Sequence, residues 1–288
     1  MSALQTLSND LAAAVEKAAG FVMGVNGRER TPSSGVHWRK GIVVTTDHTL
    51  RQDENITVTL TGGRTLPAAL VGRDPSTDLA VLRVTELDTP ASEFLDAASV
   101  KAGHIVLAIG RGITASLGIV SSMSGPWRTW RGGAVDHFLR PDVSIYTGFS
   151  GGALIDSQAR IVGVNTSGLS RGGGLTVPKN TVDRVVEELT SRGRILRGYL
   201  GVGMQPVRIP GMDGRSGLMV LSVEKDGPAD RAGVLLGDIL LSFNGTELGD
   251  TDDLQSALSG DRIGKPFELR VLRGGAMATL SITVGERP

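Results

Sequence analysis

Gly148-Phe149-Ser150-Gly151-Gly152-Ala153-Leu154 holds a serine between glycines, just ahead of the apolar run Ala159-Arg160-Ile161-Val162-Gly163-Val164. Attack on a carbonyl needs a hydroxyl beside backbone N–H groups that face a developing oxyanion. Glycine permits the backbone conformations and the close approach that such a loop demands. Taken alone, the stretch reads equally as a glycine-rich turn between strands, so the rest of the chain decides.

At 288 residues the chain exceeds one typical domain and predicts two, each long enough to bury a core. Its 40 glycines and 4% aromatic residues favour many short strands joined by turns. Lys+Arg and Asp+Glu both number 30, so there is no basic footprint for nucleic acid or an anionic membrane, and the expected partners are proteins or peptides. With no cysteine, disulfides, thiolate nucleophiles and cysteine zinc sites are excluded. The histidines are His37, His48, His104 and His137, without HExxH spacing, and neither a metal site nor a cofactor is expected. Met1-Ser2-Ala3-Leu4-Gln5 has no basic n-region, and Asp10, Glu16 and Lys17 interrupt the apolar stretch behind it, so no signal peptide is predicted. No run is long enough to span a bilayer. These features predict a cytoplasmic chain as written, or a periplasmic or other extracytoplasmic one if a leader has been removed.

In chain order, Ser8-Asn9-Asp10 precedes a predicted helix, Leu11 to Ala19, ending at Gly20. β-Branched and aliphatic runs follow at Phe21–Val25, Gly41–Thr46, Ile56–Leu60, Ala69–Gly72, Leu79–Val84, His104–Ile109 and Leu117–Ser121, separated by turn residues. This rhythm predicts barrels or a sandwich. His48 ends the second run, at the mouth where a barrel presents functional groups; a plain turn residue is the other reading. Asp78 precedes a buried-looking strand, and the turn-capping role suits Asp74, ahead of Pro75, better than Asp78. His48, Asp78 and Ser150 stand in the chain order His, Asp, Ser, which among catalytic triads marks the double-barrel arrangement.

With these residues in place, the chain resembles the HtrA/Deg family of trypsin-like serine proteases over nearly its whole length. Val44-Thr45-Thr46-Asp47-His48 matches the family's histidine strand, Thr77-Asp78-Leu79-Ala80-Val81-Leu82 its aspartate segment, and Gly148-Phe149-Ser150-Gly151-Gly152 its serine loop. Asp142 and Ile145 match the acidic and apolar positions before that loop, and Ile161 to Thr166 resembles the strand along which substrate backbone lies. The resemblance implies a mainly β fold, with a chymotrypsin-like double β-barrel protease domain followed by a small α+β PDZ domain. It implies a catalytic triad of His48, Asp78 and Ser150, an oxyanion hole from Gly148 and Ser150, and substrate contacts from Ile145, Val164, Asn165 and Thr166. Two residues depart from the family pattern. Asp47 brings a second carboxylate beside His48, able to favour its protonated form or to compete for its orientation. Phe149 replaces an asparagine, an exchange expected to leave the Gly148 loop in a collapsed or substrate-adjusted form at rest or, alternatively, to pack the ring into the second barrel and rigidify an already active loop. The loop Gly110-Arg111-Gly112 and the segment Ser167 to Gly174 are shorter than the family pattern leads one to expect.

Asn180 is expected to cap a helix through Leu189, with Val182, Val185, Val186 and Leu189 on one face and Gly193 ending it. Residues 194–197 then read as a linker between a protease domain, 1–193, and a second domain, 198–288. From Gly198 onward the chain resembles a PDZ domain, and Tyr199-Leu200-Gly201-Val202 matches the loop that captures a C-terminal carboxylate through backbone N–H groups. Asp250 is expected to cap a helix whose Leu254 and Leu258 line the peptide groove, and Gly274-Gly275 to join closing strands. The implied function is an ATP-independent serine endopeptidase of protein quality control, acting on unfolded or misfolded proteins and on peptides with free C-termini. An inactive peptide-binding chaperone or adaptor is the alternative. Family trimerisation through the N-terminal segment is also implied, although residues before Phe21 hold no aromatic to anchor it.

Overall fold

The computed structural model describes residues 2–29, 31–89, 92–170, 173–209, 214–258 and 260–287. Arg171 and Gly172 of the segment Ser167 to Gly174, and the termini Met1 and Pro288 of the expected domains, lie outside the described residues. The chain divides into two compact units, Met1–Ile195 and Leu196–Pro288.

The first unit opens with helix α1, Ala3–Ala18. It starts eight residues before the predicted Leu11, because the Ser2 side chain accepts a hydrogen bond from Gln5 N–H and caps it. Ser8, Asn9 and Asp10 lie in exposed turns of the helix instead of capping it, while Ala14 and Ala18 are buried. Strands β1 (Val22–Asn26), β2 (Ser33–Arg39), β3 (Ile42–Thr45), β4 (Ile56–Thr59), β5 (Thr65–Asp74) and β6 (Leu79–Arg83) form a closed barrel in the order β1-β2-β3-β6-β5-β4.

A second sheet contains β7 (Ile105–Gly110) and β8 (Thr114–Ser124). The short pair β9 (Trp127–Arg128) and β10 (Ala134–Val135) stands apart from it. With β11 (Phe138–Asp142), β12 (Ala153–Ile155), β13 (Ile161–Thr166) and β14 (Leu175–Pro178), the sheet runs β11-β8-β7-β12-β13-β14. It curls until its end strands, β11 and β14, lie beside each other.

The continuous apolar runs arise because several strands are buried on both faces. In β6, Ala80 and Leu82 fill the first barrel, while Leu79 and Val81 point into a cluster shared with Leu107, Ile109, Ala153 and Ile155 of the second sheet. Each leucine, isoleucine or valine among them is worth about 1.5–3 kcal/mol on burial, so packing between the sheets fixes the relation of β3 and β6 to β12. Helix α2, Lys179–Arg192, closes this unit with Val182, Val185, Val186 and Leu189 buried. Pro178, not Asn180, occupies its N-cap, and Gly193 stops it in the left-handed conformation at φ 72°.

The second unit pairs β15 (Gly198–Tyr199) with β22 (Gly285–Glu286) beside a larger sheet. That sheet runs β16 (Val202–Arg208), β17 (Ser216–Val223), β18 (Ile239–Phe243), β20 (Pro266–Arg273) and β21 (Ala276–Thr283), with β19 (Thr246–Glu247) on β18. The short helix α3, Pro228–Arg231, follows β17, and α4, Thr251–Ala257, precedes β20. Asp250 caps α4 as expected and forms a reciprocal capping box with Asp253. Gly274 and Gly275, at φ 56° and 86°, make the two-residue hairpin between β20 and β21.

Burial raises the pKa of Asp238, but two hydrogen bonds from Arg273 and one from Leu235 N–H outweigh it and hold the carboxyl below its ordinary value. A lowered folded value means that this pair stabilises the unit above the ordinary carboxylate range, and that the contribution fades as pH falls through the lowered value. Removing the arginine strands a buried charge at neutral pH and much less of one in acid. The melting temperature of Arg273→Met should therefore fall further below wild type at about pH 7 than at about pH 3. Equal deficits at both values would show that the pair carries no such linkage.

Candidate active site

Strand β3 ends at Thr45, and a single 3-10 turn, Asp47–Thr49, carries His48 at the barrel mouth. Asp78 precedes β6, which pairs with β3, so adjacent strands deliver the two side chains together. His48 Nδ1 lies 2.7 Å from Asp78 Oδ2, and His48 N–H donates to Asp78 Oδ1 at 2.9 Å. The carboxylate is 2% exposed. Thr166, at the end of β13, donates its hydroxyl to Asp78 Oδ2 and itself accepts from Gly168 N–H at 2.8 Å. Asp74 takes the capping role, its carboxylate accepting from Ser76 and Thr77.

Ser150 arrives from the second sheet, on the loop before β12. Its carbonyl accepts from Ser34 N–H at 3.0 Å, and the Ser34 hydroxyl donates to Gly148 O at 2.6 Å. Ser34, fully buried on β2, thus ties the loop to the first barrel. Gly151, at φ 88°, is required here, since a Cβ would stand 2.0 Å from Ser34 O. Among the described residues, the N–H groups of Gly148 and Ser150 have no acceptor. Ser150 Oγ lies 3.0 Å from Ser167 Oγ and accepts from Ser167 N–H at 3.3 Å, while Ser167 Oγ lies 3.5 Å from His48 Nε2.

Several expectations need correction. Asp47 does not compete for His48: its carboxylate is ion-paired with Arg73 at 3.0 Å, an arginine that also holds Leu50 O and Asp53. Of the two places expected for Phe149, its ring takes the second: it is 4% exposed, packs in the core of the second sheet and meets Tyr146 edge-on at 5.5 Å. Val164, Asn165 and Thr166 are fully buried, and β13 is paired on both sides, with β12 and β14, so their side chains cannot meet a substrate. Asn165 instead braces the loop, donating to Ala153 O at 2.8 Å and accepting from Thr176. Ile145 is partly buried at the edge of the second-sheet core, and Gly174 must lack a Cβ to clear it.

Ser34, Ser167 and Gly168 carry no recognisable signal in the sequence. Their parts appear only when strands far apart in the chain are juxtaposed.

In the second unit, Tyr199 pairs with Gly285, Leu200 is buried, and Gly201 turns the chain at φ 77° into the edge strand β16. The N–H groups of Leu200 and Gly201 have no acceptor among the described residues. Val202 starts β16 opposite Val223. Leu254 is 1% exposed within the core and does not line a groove; Leu258 lies just past α4, partly buried.

Comparison with known proteins matches residues 33–164 to a trypsin-like peptidase domain and residues 198–284 to a PDZ domain. The crystal structure of the serine endoprotease from Yersinia pestis superposes with a TM-score of 0.81 at 33% identity, covering 97% of this chain and 98% of that one. The chain belongs to the HtrA/Deg family of serine proteases. The HtrA-type protease AlgW, solved with a decapeptide, is similar at a TM-score of 0.82 and 29% identity over 96% of this chain and 99% of that one. A probable periplasmic DegP-like serine endoprotease of Ectopseudomonas mendocina is 33% identical over 262 residues, covering 86% of this chain and 55% of the relative. This HtrA/Deg chain thus spans about half the length of the curated relatives it matches. No helix among its described residues is long and apolar enough to cross a membrane.

Gly168 is the tightest constraint on the imidazole: a Cβ there would lie 2.5 Å from Asp78 Oδ2 and 2.8 Å from His48 Nδ1. Gly168→Ala should displace the pair at a cost of about 1–3 kcal/mol. Thermal melting and the low-field proton resonance of His48 Nδ1 would check this. An unchanged resonance and melting temperature would refute the constraint.

Proposed function

We propose that the protein is an ATP-independent serine endopeptidase acting on unfolded or misfolded proteins, with its PDZ unit selecting chains by their free C-termini. The observation that carries this reading is the meeting of His48, Asp78 and Ser150 beside two unengaged N–H groups. Ser150 Oγ attacks the scissile carbonyl, and His48 Nε2 takes its proton and later returns it to the leaving amine. Asp78 fixes the imidazole so that Nδ1 carries a proton and Nε2 accepts one. The N–H groups of Gly148 and Ser150 donate to the tetrahedral oxyanion, each worth roughly 10²–10³ in rate. Ile145, on the segment ahead of the Ser150 loop, would flank the residue on the acyl side of the cut bond.

In the second unit, the backbone N–H groups at Leu200, Gly201 and Val202, next to Tyr199, receive a terminal carboxylate. The unpaired edge of β16 accepts the peptide as an added strand. Leu258, rather than Leu254, is the apolar residue available to the last side chain. The periplasmic naming of relatives supports a site of action outside the cytoplasm.

Ser150→Ala should abolish cleavage of unfolded casein while leaving the melting temperature and peptide binding intact; a mutant that cuts at the wild-type rate refutes the assignment of Ser150. The same inactive full-length chain tests the second unit by calorimetry. Amidating a peptide that ends in an apolar residue removes the charge but not the apolar contact, so affinity should fall by roughly tenfold to a hundredfold. Equal affinity for the acid and amide forms would contradict carboxylate capture.

A further inference from the structure

Ser167 touches both the candidate nucleophile and the candidate base. Its hydroxyl stands 3.0 Å from Ser150 Oγ and 3.5 Å from His48 Nε2, and its N–H donates to Ser150 Oγ at 3.3 Å. No hydrogen bond joins Ser150 Oγ to His48 Nε2 among the described residues. Since the Asp78 carboxylate faces Nδ1, that nitrogen carries the proton and Nε2 is an acceptor, so the Ser167 hydroxyl donates to it. Ser150 in turn donates to Ser167. The nucleophile is therefore held twice by one residue: its proton points to a hydroxyl that is no base, and one of its lone pairs is taken by a backbone N–H.

We infer that Ser167 is a positioning residue that latches Ser150 away from His48 in the resting enzyme, and that substrate must expel its hydroxyl before attack. Two observations favour a latch over a relay that passes the proton from Ser150 to His48. At 3.5 Å the contact to Nε2 is at the limit of hydrogen bonding and couples proton transfer poorly. Ser167 is also exposed and lies just beyond β13, so its side chain is free to rotate away, whereas Thr166 beside it is locked in the interior against Asp78. Rotation of the Ser167 side chain releases its hydroxyl from both Ser150 and His48 and leaves the His48–Asp78 pair in place, while the Ser167 N–H stays beside Ser150 Oγ.

This inference rests on the protease reading, and the test separates the two. The rate of labelling by a fluorophosphonate probe would be measured without peptide for wild type, Ser150→Ala, Ser167→Ala and Ser167→Thr. Phosphonylation joins Ser150 Oγ to phosphorus, expels fluoride and sends the hydroxyl proton to His48. The latch predicts that Ser167→Ala labels about threefold to tenfold faster than wild type, the value of one or two weak hydrogen bonds. It also predicts that Ser167→Thr, which keeps the hydroxyl, restores the wild-type rate. With a cleavable peptide, the gain in Ser167→Ala should appear in kcat/KM, because the latch is a contact of the free enzyme that substrate displaces. Labelling that depends on Ser150 but is equal or slower in Ser167→Ala overturns the latch alone, and a slower rate would identify a relay. No labelling in any form overturns the protease reading, and the latch with it.

Discussion

The Asp78 carboxylate is 2% exposed, and a charge so placed is tolerable only when donors replace the water it has lost. It accepts from His48 N–H, from His48 Nδ1 and from the Thr166 hydroxyl. The group joins three segments: the turn after β3 supplies the histidine and the end of β13 the threonine as donors, and the entry to β6 supplies the accepting aspartate. Asp78 adopts a left-handed backbone at φ 57°, a conformation costing on the order of 1 kcal/mol outside glycine. The surrounding hydrogen bonds and the packing of Leu79 and Val81 hold it there. Remove the carboxylate, and both the imidazole and the link between the two sheets lose their common partner.

That arrangement explains why so much of the first unit was legible in its sequence. The strands bearing His48 and Asp78 are apolar on both faces, so they stand out as unbroken runs, and the functional residues fall at their ends, where a barrel opens. Strand β2 is not legible in the sequence because Ser33, Ser34 and His37 make it look like a polar loop, although all three are buried. Ser34 is buried because it serves the Ser150 loop, so the feature that hid the strand is the one that makes it useful. The assignment of Val164, Asn165 and Thr166 to substrate followed a family pattern without the pairing of β13. Once both neighbours of that strand are known, the accessible chain begins at Ser167. Leu254 was misplaced for a similar reason: helical spacing predicts which face of α4 is apolar, but not whether that face meets a ligand or the core.

The serine loop combines rigidity with restraint. Phe149 anchors it in the second-sheet core, and Ser34 and Asn165 fix its carbonyl and N–H groups, while among the described residues the N–H groups of Gly148 and Ser150 have no acceptor. The adjacent Ser150 hydroxyl is instead hydrogen-bonded to the Ser167 hydroxyl and N–H. On the protease reading proposed above, the resting and working states would differ by movement of the Ser150 and Ser167 side chains rather than by refolding of the loop.

The account stands on the Asp78 carboxylate holding His48 in the form that can accept a proton from Ser150. Asp78→Asn keeps the size of the side chain but lets the amide favour the wrong imidazole tautomer. Turnover of unfolded casein by this variant, followed alongside its melting temperature, is the most direct measurement. The account predicts a fall in kcat of about 10⁴-fold with the fold retained. A folded Asp78→Asn enzyme working within about tenfold of wild type would contradict it.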